Sequence, residues 1–93
     1  MTTRAETKPK TVLIVEDNPM LQVGLWHALS TQPALKAIAQ VEDGLSAVST
    51  AIELEPDIAL IDIDLPGIDG ITVTQRIKQV LPNTRVIIFT HYT

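Results

Sequence analysis

Residues 57–70 read DIALIDIDLPGIDG, an apolar run that stops on aspartates and then turns. Ile58 to Ile61, closed by Asp62, are too few for a helix and apolar throughout, which is the composition of a parallel strand buried on both faces. Asp62, Asp64 and Asp69 crowd one edge of it, and Pro66-Gly67 forces a turn there, so the carboxyl end of the strand opens into a loop. In open α/β sheets that edge is where ligands bind.

Upstream, Thr11 to Val15 (TVLIV) repeats the design, a β-branched apolar run ending on Glu16-Asp17. Two strands thus deliver acids to the same edge. Asn18-Pro19 then opens a helix over 19–30, Asn as the cap and Pro in the first turn, where its missing N–H costs nothing. Leu21, Leu25, Ala28 and Leu29 form its inward stripe, while Trp26 and His27 fall off that stripe and read as rim residues without chemistry. Residues 35–41 alternate, Leu35, Ala37, Ala39 and Val41 against Lys36, Ile38 and Gln40, which predicts a partly covered edge strand.

A helix over 45–55 follows, with Ala47, Val48, Ala51 and Ile52 inward and Glu42, Asp43, Glu53 and Glu55 as solvated surface. Pro56-Asp57 launches the central strand over 58–62, which puts Asp57 at the end opposite Asp62. A third helix over 70–81 turns Val73, Ile77, Val80 and Leu81 to one side, and Pro82-Asn83 breaks it. The fourth strand, 85–90 (RVIIF and Thr90), again ends on a polar side chain. The βαβαβαβ order with short connections predicts an α/β fold: a parallel, doubly wound sheet with right-handed crossovers in a three-layer αβα arrangement.

Ninety-three residues suffice for one small domain, expected over 11–93 behind a loose tail at 1–10. The hydrophobic content is 45% with three aromatic residues, Trp26, Phe89 and Tyr92, so the core is aliphatic. The net charge of −4 opposes direct binding of these residues to nucleic acid or to an anionic membrane surface. Absent cysteines exclude disulfides and thiolate metal sites, and the expected location is cytoplasmic. No apolar run approaches the roughly 20 residues that span a bilayer, and the polar first ten residues lack the apolar segment of a secretory signal.

In a parallel sheet the strand ends gather Glu16, Asp17, Asp62, the backbone around Asp64, and Thr90 at one cleft. Carboxylates that close raise one another's pKa values unless a cation sits among them. Oxygen donors without His or Cys fit Mg²⁺, which keeps several waters and takes few protein carboxylates. Beside such an ion, the acid nearest the centre of the sheet can act as nucleophile toward a phosphoryl group. Asp62, at the end of what reads as the most buried strand, is the candidate, and the Thr90 hydroxyl is placed to hydrogen-bond a phosphoryl oxygen.

IVEDN at 14–18, PDIALIDIDLPGIDG at 56–70 and VIIFT at 86–90, in this order and spacing, resemble the receiver domain of two-component response regulators. The resemblance implies a flavodoxin-like sheet of strand order 2-1-3-4-5. It also implies a sensor histidine kinase as phosphate donor to Asp62, and Mg²⁺ bound by Asp17, Asp62 and the Asp64 backbone carbonyl with Glu16 assisting through water. Thr90 is then the switch hydroxyl, and the role is that of a phosphoacceptor and not of an enzyme. QVEDGLSAV at 40–48 and the first helix are most similar to receivers attached to LuxR-type helix-turn-helix transcription factors, so the implied output is transcription regulation.

Two departures set the remaining expectations. Receivers have five strands and five helices and a lysine at the end of the fifth strand, whereas this chain stops after the fourth; Lys10 is no substitute, because it precedes the first strand at the opposite edge. His91 follows Thr90 where the family commonly has a small residue, and reads as steric or surface. An incomplete receiver leaves the apolar fourth strand as an exposed edge, which implies a homo-oligomer formed through that strand or by exchanged elements. Two other readings stay open. One is a degenerate receiver that pairs or binds a partner without phosphorylation. The other is a haloacid-dehalogenase-type hydrolase, since Asp62-Ile63-Asp64 matches its D-x-D, although Pro66 stands where that family commonly has Thr.

Overall fold

In the computed structural model, which describes residues 8–90, the acidic strand ends are organised by one parallel sheet. Its strands are β1 (Lys10–Val15), β2 (Leu35–Val41), β3 (Ile58–Asp62) and β4 (Arg85–Phe89), in the order β2-β1-β3-β4. Three helices connect them, α1 (Pro19–Ser30), α2 (Gly44–Leu54) and α3 (Gly70–Val80). The alternation predicts the parallel doubly wound sheet, and the strand order is the flavodoxin-like one that the receiver resemblance implies. The chain steps one way from β1 to β2 and the other way thereafter, and right-handed crossovers then put α1 on one face and α2 and α3 together on the other. Among the described residues, no helix is long and apolar enough to cross a membrane.

The core lies between the sheet and α2 and α3. Leu13, Val15, Ala59 and Ile61 meet Ala47, Ala51, Val73 and Ile77, all fully buried. Each large aliphatic side chain among them contributes roughly 1.5–3 kcal/mol by leaving water. Ala47 and Ala51 present small side chains from α2 to the strands, and Val73 and Ile77, one turn apart, fill the space under α3.

Each helix starts on a cap. Asn18 Oδ1 accepts from the amides of Met20 (2.9 Å) and Leu21 (3.2 Å), with Pro19 in the first turn as expected. Asp43-Gly44-Leu45-Ser46 and Asp69-Gly70-Ile71-Thr72 are one device used twice: the aspartate accepts from the amide three residues on, at 2.8 and 2.9 Å, and also from that residue's hydroxyl. Asp43 is therefore a cap and not merely solvated surface. Asp69 lies at the strand edge as expected and spends its carboxylate on capping α3.

Several packing expectations are corrected. Ile38 is a bulge: Val12 pairs with Ala37 but Leu13 with Ala39, so Leu35 and Ala37 share the face of Val12 while Ala39 and Val41 share the face of Leu13 and join the core. The inserted residue reverses the alternation read from the sequence. The inward arc of α1 is Leu21, Gln22, Leu25 and Leu29, with Ala28 exposed, because Gln22 falls beside Leu29 around the helix and Ala28 on the other flank. Ile52, on the outer flank of α2, and Val80, in the last turn of α3 beyond the sheet, are both exposed.

The most buried strand is β1, not β3: Val12 to Val15 are all buried, whereas Ile58 and Leu60 of β3 are half-buried. Those two lie on the α1 face, and α1 packs over β1 and β2. Beyond them β4 forms a sheet edge with Ile87 46% and Ile88 40% exposed. Lys10 belongs to β1, its amide donating to the Ala34 carbonyl at 2.8 Å, so the expected tail ends before it. The rest of that tail up to residue 7, and His91, lie outside the described residues.

Candidate functional site

The sheet delivers Glu16 and Asp17 from the end of β1 and Asp62 from the end of β3, side by side because these strands are neighbours, Val15 pairing with Ile61. One carboxylate oxygen from each lies within 4.8 Å of the others. Glu16 and Asp62 are fully buried and Asp17 is exposed, so the cluster opens to solvent on one side.

Each acid is held by its own turn. Glu16 Oε2 accepts the Asn18 amide at 2.9 Å, and the Glu16 amide donates to the carbonyl of Val41 at the end of β2. Asp62 Oδ1 accepts the Asp64 amide at 3.1 Å, which turns the chain sharply out of the strand. The loop comes back at Gly70, whose amide donates to the Ile63 carbonyl at 3.1 Å. Burial pushes the Glu16 carboxyl above its ordinary 4.5; the Asn18 amide opposes this, and the nearby Asp62 and Asp17 carboxylates add to it.

The donor set fits a hard divalent cation. All donors are carboxylate oxygens, at a spacing where one ion can touch several, and the buried Glu16 Oε1 has no hydrogen-bond partner among the described residues. Of the remaining expected site residues, Asp64 is exposed in the loop after β3. Thr90 directly follows β4, one residue beyond Phe89, which pairs with Asp62; the Phe89 carbonyl accepts the Ile63 amide at 2.9 Å. Both therefore lie at the carboxyl edge with the cluster. Asp57 lies at the far end, where Thr11 donates to its Oδ2 through its amide at 2.9 Å and its hydroxyl at 3.1 Å. Trp26 and His27 are exposed beside Val23, Ser30 and Gln40 in an open cleft away from the acids.

Two contributors escape a reading by periodicity. Gln22, a polar residue on the arc of α1 that faces the sheet, donates from Nε2 to the Glu16 carbonyl. Gly70 is buried against the Asp62 backbone, and the signal for it was the Asp-Gly pair repeated at 43–44 and 69–70.

A parallel βαβ sheet with three acids gathered at the carboxyl ends of neighbouring central strands defines the receiver class. The family model for the response regulator receiver domain matches residues 12–93, and the chain belongs to that family, the receiver modules of two-component systems. Among curated relatives it is similar to the response regulator protein VraR of Staphylococcus saprophyticus, 36% identical over 84 residues that make up 90% of this chain and 40% of the relative. It is also similar to the transcriptional regulatory protein LiaR of Bacillus subtilis, 36% identical over 81 residues, 87% of this chain and 38% of the relative. The chain thus spans about 40% of the length of these relatives.

Among solved structures, the response regulator domain of Thermotoga maritima CheB superposes with a TM-score of 0.84 at 36% identity, covering 88% of this chain and 60% of that one. The receiver domain of a NarL regulator from Mycobacterium tuberculosis gives 0.86 at 29% identity, covering 92% and 69%.

Proposed function

We propose that this receiver takes a phosphoryl group from a sensor histidine kinase onto Asp62 and thereby switches a transcriptional output. The observation that carries the reading is the convergence of Glu16, Asp17 and Asp62 oxygens within 4.8 Å at the carboxyl edge. In this reading Asp17, Asp62 and the Asp64 carbonyl would hold Mg²⁺, with Glu16 assisting through water, and the ion would supply positive charge against the phosphoryl oxygens. The Asp62 carboxylate attacks phosphorus as the bond to the donor imidazole nitrogen breaks. The electron pair stays on that nitrogen, and the product is an acyl phosphate on Asp62. Thr90, following β4, donates its hydroxyl to a phosphoryl oxygen and so ties β4 to the phosphorylated state.

The transcriptional output is supported by the likeness to LiaR, and the net charge of −4 leaves DNA contact to residues other than these. The setting this chemistry calls for is the cytoplasm, where kinase and phosphate donors meet the receiver.

A second reading, association without phosphorylation, is favoured by one observation: Ile87 and Ile88 are exposed on the β4 edge. Treatment with a small acyl phosphate and Mg²⁺ followed by intact mass measurement separates the readings. One base-labile phosphoryl group, absent from Asp62→Asn, is the expected result. An unmodified chain leaves the association reading, and steady turnover of a phosphate ester instead indicates a D-x-D hydrolase.

A further inference from the structure

Gln22 is a buried polar side chain, 8% exposed, on the sheet-facing arc of α1 beside Leu25 and Leu29. Its side-chain amide donates to the backbone carbonyl of Glu16. That carbonyl belongs to the peptide plane joining Glu16 to Asp17, and a peptide plane turns as one body.

The residues that flank this plane are themselves held by hydrogen bonds. The Glu16 amide is tied to the Val41 carbonyl at 3.0 Å, Glu16 Oε2 to the Asn18 amide at 2.9 Å, and the Asn18 carbonyl to the Gln22 amide at 3.0 Å. Gln22 closes the ring: through its backbone it holds the residue after Asp17, and through its side chain the plane before it. Asp17 is exposed, and no hydrogen bond of its own side chain is needed to aim it when the backbone on both sides is held.

We infer that Gln22 is a positioning residue for the cation site, setting the orientation of the Glu16–Asp17 peptide and with it the reach of the Asp17 carboxylate toward Glu16 and Asp62. The inference rests on the reading of the acid cluster as a divalent-cation site. Removing the donor leaves a backbone carbonyl without its partner beneath α1, and the plane relieves this by turning toward water, which carries Asp17 away from its two neighbours. A group that orients a ligand without touching the ion commonly governs affinity by about tenfold or more.

The test compares Mn²⁺ affinity, by electron paramagnetic resonance titration, in the wild-type chain, in Gln22→Met and in Thr84→Val. Methionine keeps the length of glutamine and removes the donor. Thr84, also buried, donates its hydroxyl to the Pro56 carbonyl at the opposite end of the sheet, so its loss destabilises the fold without touching the site. The expected result is binding weakened about tenfold in Gln22→Met and unchanged in Thr84→Val.

Equal affinity in wild type and Gln22→Met overturns the role of Gln22 while leaving the cation site standing, and so does an equal loss in both variants. A wild-type chain that binds no Mn²⁺ overturns the cation site and the positioning role together. A measurement on the wild-type protein alone covers the case in which Gln22→Met does not fold. The Gln22 side-chain amide protons are expected to exchange slowly with water and to shift on addition of Mg²⁺, and rapid exchange without a shift contradicts the inference.

Discussion

Gly70 packs directly on the backbone of Asp62: a Cβ at position 70 would lie 2.6 Å from the Asp62 carbonyl oxygen and 2.9 Å from the Ile63 Cα. Both obstacles are main chain, which a side-chain rotation cannot clear. The start of α3 therefore rests on the residue proposed to carry the phosphoryl group. Gly70→Ala is expected to destabilise the domain by about 1–3 kcal/mol, the usual cost of overpacking, and to slow acyl phosphate labelling of the folded fraction. Urea denaturation and labelling rates check both effects, and a variant that matches wild type in stability and rate contradicts the packing argument.

Gly44 plays the same part for α2, where a Cβ would fall 2.7 Å from the Ile68 carbonyl oxygen and 2.8 Å from Val73 Cγ2. Gly44→Ala is expected to cost about 1–3 kcal/mol in urea denaturation.

Glu16 is held with its folded-state pKa above 4.5, burial being the chief cause. The folded protein thus binds this proton more tightly than the unfolded chain, and its contribution to stability is full below pH 4.5 and lost as pH rises through the higher folded value. Glu16→Gln removes that loss while its side-chain oxygen can still accept the Asn18 amide. Without divalent cations at neutral pH, the variant is expected to melt a few degrees above wild type and to bind Mn²⁺ more weakly. A lower melting temperature in calorimetry contradicts this account of Glu16.

Asp57 behaves in the opposite sense. The Thr11 amide, and after it the Thr11 hydroxyl, hold its carboxyl below the ordinary 3.8. Its contribution is then present above pH 3.8 and lost as pH falls through the lower folded value. Asp43 and Asp69, lowered by their cap hydrogen bonds from Ser46 and Thr72, add to the same acid limb. Asp57→Asn is expected to make the fall in stability at acid pH shallower, read as urea midpoint against pH. A limb parallel to wild type counts against the Thr11–Asp57 pair.

Ile87 and Ile88 are exposed on β4, and the 93-residue chain is expected to self-associate along that strand. Light scattering is expected to show a concentration-dependent dimer at micromolar protein, lost in Ile87→Lys with a change in monomer stability within about 0.5 kcal/mol. A compact wild-type monomer across that range contradicts the association.

The strands and the edge on which they end were legible in the sequence because apolar runs closed by acids, DIALID and TVLIVED, carry both facts at once. The parallel topology followed from the alternation of strands with capped helices. Other features depend on rotation and register. Nothing in LKAIAQV marks Ile38 as an inserted residue, yet that insertion decides which face Ala39 and Val41 take. Gln22 reads as a surface residue until the sheet turns α1 toward it, since its burial is stabilised by one backbone carbonyl that periodicity does not see. Asp43 and Asp69 look like any loop acids, and their capping role depends on the amide and hydroxyl three residues on. The cluster of Glu16, Asp17 and Asp62 was readable because neighbouring parallel strands must end together; its aim was not, because the peptide geometry around Asp17 sets it.

The central claim is that these three carboxylates share one divalent cation. Crystals of the chain grown with Mn²⁺ and measured at its absorption edge test it most directly. A single anomalous peak bounded by the Glu16, Asp17 and Asp62 oxygens is expected. A peak elsewhere on the protein, or density at the cluster with no anomalous signal, would contradict it.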